Sequence, residues 1–187
     1  MKKPVQSRIE YFLFMCLYHT VKHFPLSVIK KMAAVLMQFG GMILGIRRNI
    51  AEKNLELIFP QITKSQKKRI LKNMYREMGK NAAEIYFADF DELYKDVILE
   101  GWENLEQALA MNKGVILASA HTGNWELAGR YIHTKHKLSV IYKKLRNRYL
   151  NDFTYSLRCD DGLVMIELKN ALRQILKLLK EKYIVTI

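Results

Sequence analysis

The sequence has little from which to build a metal site or a disulfide framework. Its two cysteines, Cys16 and Cys159, lie far apart and in no metal-ligand spacing. They read as reduced, structural thiols on a cytosolic face, and no metal is expected. No apolar run reaches the roughly 20 residues that a bilayer-spanning helix needs. The apolar patch near the N-terminus has no small-residue cleavage site after it, so no secretory signal is expected. Internal repeats, low-complexity tracts and Gly/Ser linkers are missing as well. Acid is scarce: 18 aspartates and glutamates face 31 lysines and arginines, a formal net charge of +13. That balance leaves nucleic acid, an anionic membrane surface and an acidic protein as partner classes. The interleaved Arg/aromatic clusters of RNA platforms are lacking, which argues against nucleic acid.

What is present is unevenly spread. The first 50 residues carry eight lysines and arginines against one acid, Glu10. Two apolar runs lie among them, at 11–17 and 32–46, the second flanked by Lys30/Lys31 and Arg47/Arg48. Basic pairs at both ends suit a helix lying in a membrane interface or entering one leaflet. The alternative is a pair of core helices. Residues 1–48 are therefore expected to be a membrane-associated helical region, and 49–187 an α/β domain. Residues 47–62 read as a link between the two, broken at Pro60. Thr63 and Gln66 have the spacing of a capping box. Ile70, Met74, Met78, Ala82 and Ile85 then follow at helical spacing, predicting one amphipathic helix over 64–87. Its other face, with Lys67, Lys68, Arg69, Lys72, Arg76 and Lys80, is either solvated or a dock for an acidic carrier or lipid head groups.

Beyond that helix, strand and helix signals alternate. Strands are expected at 96–100, 115–120, 138–142, 163–166 and 183–187. Helices are expected at 102–111, 125–133 and 146–157, with a further apolar helix face at Leu168, Leu172, Ile175 and Leu179. The pattern predicts an α/β fold with a mostly parallel central sheet flanked by helices.

The chain is organised around residues 114–129, G-V-I-L-A-S-A-H-T-G-N-W-E-L-A-G. A buried strand ends at His121, and Thr122, Gly123 and Asn124 turn the chain into a helix. Strand ends in α/β sheets bind ligands, and helix starts offer free N–H groups. His121 and Glu126 are the candidate catalytic pair: an imidazole base and a carboxylate that fixes its tautomer. On one continuous helix, five positions would separate them by about 140° around the axis. The pairing thus requires His121 in the loop before the helix, with Gly123 permitting the bend. The plainer alternative is a capping histidine and a surface glutamate. His19, His23, His133 and His136 lie in basic or apolar contexts and read as surface groups. Backbone N–H groups near 123–125 are candidate oxyanion donors. Trp125 reads as packing. Lys143, Lys144 and Arg146 form a candidate phosphate or carrier patch. Arg158 sits in an apparent Leu-Arg-Cys-Asp-Asp-Gly turn, with either an anion or a local bridge to Asp160 or Asp161 as its use.

H-T-G-N-W-E after an apolar strand resembles the HX4D/E motif of glycerolipid-type acyltransferases. More closely, it resembles the bacterial late (secondary) acyltransferases of lipid A biosynthesis. Arg47, Arg48, Ile50, Asn54, Leu55, Phe59 and Pro60 look like one block of that family, and Gly79 and Glu84 match its following helix. Gly101, Trp102 and Leu105 resemble the approach to the motif, and Tyr142, Lys143, Arg158 and Gly162 its later basic stretch. The resemblance implies transfer of a fatty acyl chain from acyl carrier protein or acyl-CoA to a hydroxyl of a lipid A precursor or related glycolipid. A glycerophospholipid acceptor is the alternative, and a catalytically inactive membrane-binding fragment the rival. His121 and Glu126 would be catalytic. Gly123, Asn124, Lys143 and Arg158 would bind substrate, and the thioester would serve as co-substrate with no cofactor. The resemblance also implies an N-terminal anchor in the inner membrane, with the catalytic part on the cytoplasmic face. The family often places a basic residue just after Ile166, where this chain has Glu167 and Leu168. It also continues past Ile187, beginning with an Asp-Gln pair, so a C-terminally truncated chain is expected.

Overall fold

A computed structural model describes residues 4–159 and 162–187. The chain divides into two compact units, one holding the residues up to His19 with Tyr94–Ile187, the other Thr20–Leu93.

The first unit is built on a four-stranded, all-parallel sheet. Its strands are β1 (Val115–Leu117), β2 (Leu138–Tyr142), β3 (Val164–Glu167) and β4 (Ile184–Thr186), in the order β1-β4-β2-β3. The helices are α1 (Pro4–Val21, nearly all of it in this unit), α6 (Trp102–Ala110), α7 (Trp125–His133), α8 (Arg148–Cys159) and α9 (Ala171–Lys180). Successive strand residues point to opposite faces. Ile184 joins Leu138 and Leu163 on one face, against Leu105 and Leu109 of α6 and Ile132 of α7. Its neighbour Val185 joins Ile166 and Leu178 on the other, against Ile175 of α9. Helices cover both faces of the central strands, which is why those read as continuous apolar runs. The strand expected to run buried from 115 to 120 is shorter: β1 stops at Leu117 and, at the sheet edge, leaves Ile116 56% exposed. β4 comes last in the sequence yet lies second in the sheet, between β1 and β2.

The second unit is helical, with α2 (Leu26–Met42), α3 (Arg48–Ile58) and α4 (Lys64–Phe87). The short α5 (Phe90–Tyr94) runs from this unit into the first. α4 starts on the expected capping box: Thr63 Oγ1 accepts from the Gln66 N–H at 3.2 Å, and the Gln66 side chain accepts from the Thr63 N–H at 2.9 Å. α2 and α4 pack closely because both carry glycine at the contact. A Cβ on Gly79 would run into the backbone of Ala33, and one on Gly41 into the ring of Tyr75. Glu84 pairs with Lys30 of α2.

Several expectations change. The link at 47–62 contains a helix, α3, entered through Arg47 in the left-handed region (φ 55°). No strand forms at 96–100. Val97 N–H closes a turn onto the Tyr94 carbonyl, and Ile98 is 86% exposed with no ladder partner to cover it. Alternation alone does not supply a neighbouring strand. Among the described residues no helix is long and apolar enough to cross a membrane. The N-terminal anchor that the family resemblance implies thus has no spanning helix to support it.

Candidate active site

The carboxyl ends of β1, β2 and β4 all open on one side of the sheet, where parallel α/β folds bind ligands. A cavity of about 380 Å³ lies there, lined among others by Leu117, His121, Glu126, Arg158, Val140 and Thr186. It is mostly apolar, with its charged groups drawn from the strand-to-helix loop, α7 and α8.

The loop after β1 has the form the sequence requires. His121 lies before the helix, Gly123 takes φ 56°, and the Asn124 side chain caps α7 by accepting from the Leu127 N–H at 3.1 Å. Asn124 is thus structural as well as cavity-lining, whereas Gly123 shapes the turn and is not among the lining residues. His121 is exposed, with its ring centroid 5.0 Å from that of Trp125. Trp125 is itself 42% exposed, so it packs over the histidine and not in the core.

Glu126 is 8% exposed and lies in the first turn of α7, where the helix dipole favours a carboxylate. The Arg158 fork holds it: Nε donates to Oε1 at 3.0 Å and Nη2 to Oε2 at 2.8 Å. Arg130 Nε lies 3.5 Å from Oε1, and its Nη2 donates to the Leu157 carbonyl. A bidentate guanidinium is the geometry that compensates a carboxylate for lost water.

The structure therefore brings His121, Glu126 and Arg158 to one cavity and joins the last two directly. Among the described residues no hydrogen bond links His121 to Glu126. Arg158 lies inside α8 rather than in a turn. Its alternative partners Asp160 and Asp161 lie outside the described residues. Lys143 is exposed beyond β2 and does not line the cavity. Its neighbour Lys144 pairs with Glu167 at 2.6 Å, so the acid that replaces the family's usual basic residue consumes part of the patch. His133 and His136 are half-buried and not surface groups: His136 stacks on Trp102 and faces Glu106 at 3.3 Å.

Two lining residues escaped the sequence reading. Arg130 had a usable signal, its i,i+4 spacing from Glu126. Thr186 had none, since β4 reaches the site only through the strand order. Its hydroxyl is buried without a hydrogen-bond partner in the cavity wall.

A lipid A biosynthesis palmitoleoyltransferase from Escherichia coli is 30% identical over 138 residues, 72% of this chain and 45% of that protein. A lipid A biosynthesis acyltransferase from Shigella flexneri matches with the same figures. A phosphatidylinositol mannoside acyltransferase from Mycobacterium tuberculosis is 27% identical over 88 residues, 46% of this chain and 28% of that protein. The chain spans less than half the length of these curated relatives. The family model for bacterial lipid A biosynthesis acyltransferases matches residues 2–187, and the chain belongs to that family.

Proposed function

We propose that this chain carries the acyl-transfer site of an O-acyltransferase. It would move a fatty acyl group from an acyl carrier protein or acyl-CoA thioester to a hydroxyl of a lipid A precursor or related glycolipid. One observation supports this above the others: an accessible imidazole, His121, shares an apolar cavity with a buried, arginine-held carboxylate, Glu126. Apolar walls suit an acyl chain, and arginine in the wall suits phosphate or a developing oxyanion.

In this reading His121 takes the proton of the acceptor hydroxyl as its oxygen attacks the thioester carbonyl. Collapse of the tetrahedral intermediate forms the ester and breaks the C–S bond. The imidazolium then returns the proton to the leaving thiolate. Glu126 stabilises the protonated imidazole, within reach once substrate draws His121 inward, and Arg158 holds that carboxylate in place. The basic, apolar N-terminal helices hold the chain on the cytoplasmic face of the inner membrane.

The test is transfer from an acyl carrier protein thioester to a glycolipid acceptor. His121→Ala is expected to lower the rate about a hundred- to ten-thousand-fold. Glu126→Gln keeps the shape and loses the charge, and should fall into the same range. Wild-type rates in both variants would eliminate the pair.

A further inference from the structure

The second unit contains a cleft of about 290 Å³ to which the acyl-transfer reading assigns no role. Its walls come from α2, α3 and α4, and all of its lining residues belong to that unit. Met37, Met74 and Met78 supply flexible, polarisable lining, and Ile46 and Ile50 add branched apolar surface. Tyr75 closes one side, its hydroxyl donating to the Ile46 carbonyl at 2.8 Å.

The polar groups at this cleft are placed with a contrast. Arg48 is committed within the protein, donating to Glu52 at 2.9 Å and to the Met42 carbonyl at 3.2 Å. Arg47 lines the cleft and is exposed, and its side chain makes no hydrogen bond or ion pair among the described residues. Asn54, also lining and exposed, is likewise without a partner there. Ile50 and Asn54 recur at i and i+4, one face of α3, and Arg47 is the residue through which the chain enters that helix. Three residues that carry the family resemblance thus present a cation, an apolar side chain and an amide to a methionine-lined cleft. Arg47 also holds left-handed backbone, a strained conformation for a non-glycine residue that clusters at ligand clamps. Around it, Phe39, Ile43, Leu44 and Ile50 leave large apolar surfaces exposed, so the neighbourhood suits a membrane better than water.

We propose that this cleft is a lipid site in its own right. One acyl chain of a membrane glycerophospholipid enters among the methionines, and its phosphate is held by Arg47 and Asn54. Arg47 meets the phosphate as a planar donor fork, and the flexible thioethers accept a chain of varied kink.

The experiment uses the 187-residue chain and dihexanoylphosphatidylglycerol below its micelle concentration, read by titration calorimetry. One saturable site is expected. Arg47→Gln, which removes the cation, and Ala51→Phe, which fills the cleft, should each weaken binding by at least about tenfold. Lys53→Gln, exposed on α3 and outside the lining, should stay within about twofold. Equal loss in Lys53→Gln would reduce the effect to general charge and overturn the site. So would inorganic phosphate or hexanoate binding as tightly as the lipid. A photoactivatable acyl chain should crosslink to the methionines of α2 and α4, a readout that needs no variant to fold, and labelling elsewhere overturns the proposal. No arm reads acyl transfer, so the outcome is independent of the reaction proposed above.

Discussion

The sheet of the first unit and the α2–α4 pair of the second bury their apolar residues differently, although α1 of the first unit also leaves Phe12, Leu13 and Leu17 exposed. In the first, a parallel sheet is sandwiched between helices, and Leu138, Ser139, Ile166, Ile184 and Val185 lose all contact with solvent. In the second, α2 and α4 pack through glycines, while Met32, Val35, Leu36, Phe39, Ile43 and Leu44 remain exposed. The sheet consumes its apolar residues to hold a cavity and a buried ion pair in place. The helical unit keeps apolar surface in reserve beside basic residues such as Arg47, the pattern of an element that meets lipid.

The comparison can be broken by unfolding. Both tryptophans, Trp102 and Trp125, belong to the first unit, so their fluorescence reports that unit while helical circular dichroism reports both. Ile184→Ala should lower stability by about 2–5 kcal/mol and move the fluorescence transition. Leu71→Ala, fully buried in α4, should act equally on the dichroism and leave the fluorescence transition in place. Coincident shifts in both variants would merge the units into one cooperative structure. Glu126→Ala should come next, at about 3 kcal/mol, because it strands the partly buried Arg158 beside an apolar wall. Phe39→Ser with Leu44→Ser should change stability by no more than about 0.5 kcal/mol each. They should nonetheless weaken flotation with anionic vesicles, whereas unchanged flotation would remove lipid from the account of the second unit.

The smallest effect belongs to Glu77. Lys80 and then Arg76 hold its carboxyl below the ordinary range, so folding favours the ionised form. Whatever this contributes is present above the unfolded-state value and fades as pH falls through the acid range. The group lies at the surface, so Glu77→Gln should leave the neutral-pH midpoint unchanged in thermal unfolding.

How much of this was legible depended on range along the chain. The helices at 64–87 and 125–133 and the strand at 138–142 match the structure because periodicity and caps are local signals. The strand expected at 96–100 failed because alternation says nothing about a pairing neighbour, and α3 was hidden by the Pro60 break that follows it. At the site, the loop placement of His121 followed from its five-residue spacing to Glu126. The grip of Arg158 on Glu126 did not, since 32 residues separate them and the nearby Asp160 and Asp161 offered a shorter pairing.

The sequence by itself determined the family, the excess of positive charge, the alternation of strands and helices and the turn that carries His121. Each is written in composition or in residues a few positions apart. Only the tertiary structure decided that β4 enters the sheet between β1 and β2, that Glu126 belongs to Arg158, and that Arg47 lines a methionine cleft while Arg48 is held by Glu52. Those outcomes depend on which distant segments meet, and that is set by how the whole chain excludes water from its apolar faces, which no single stretch encodes.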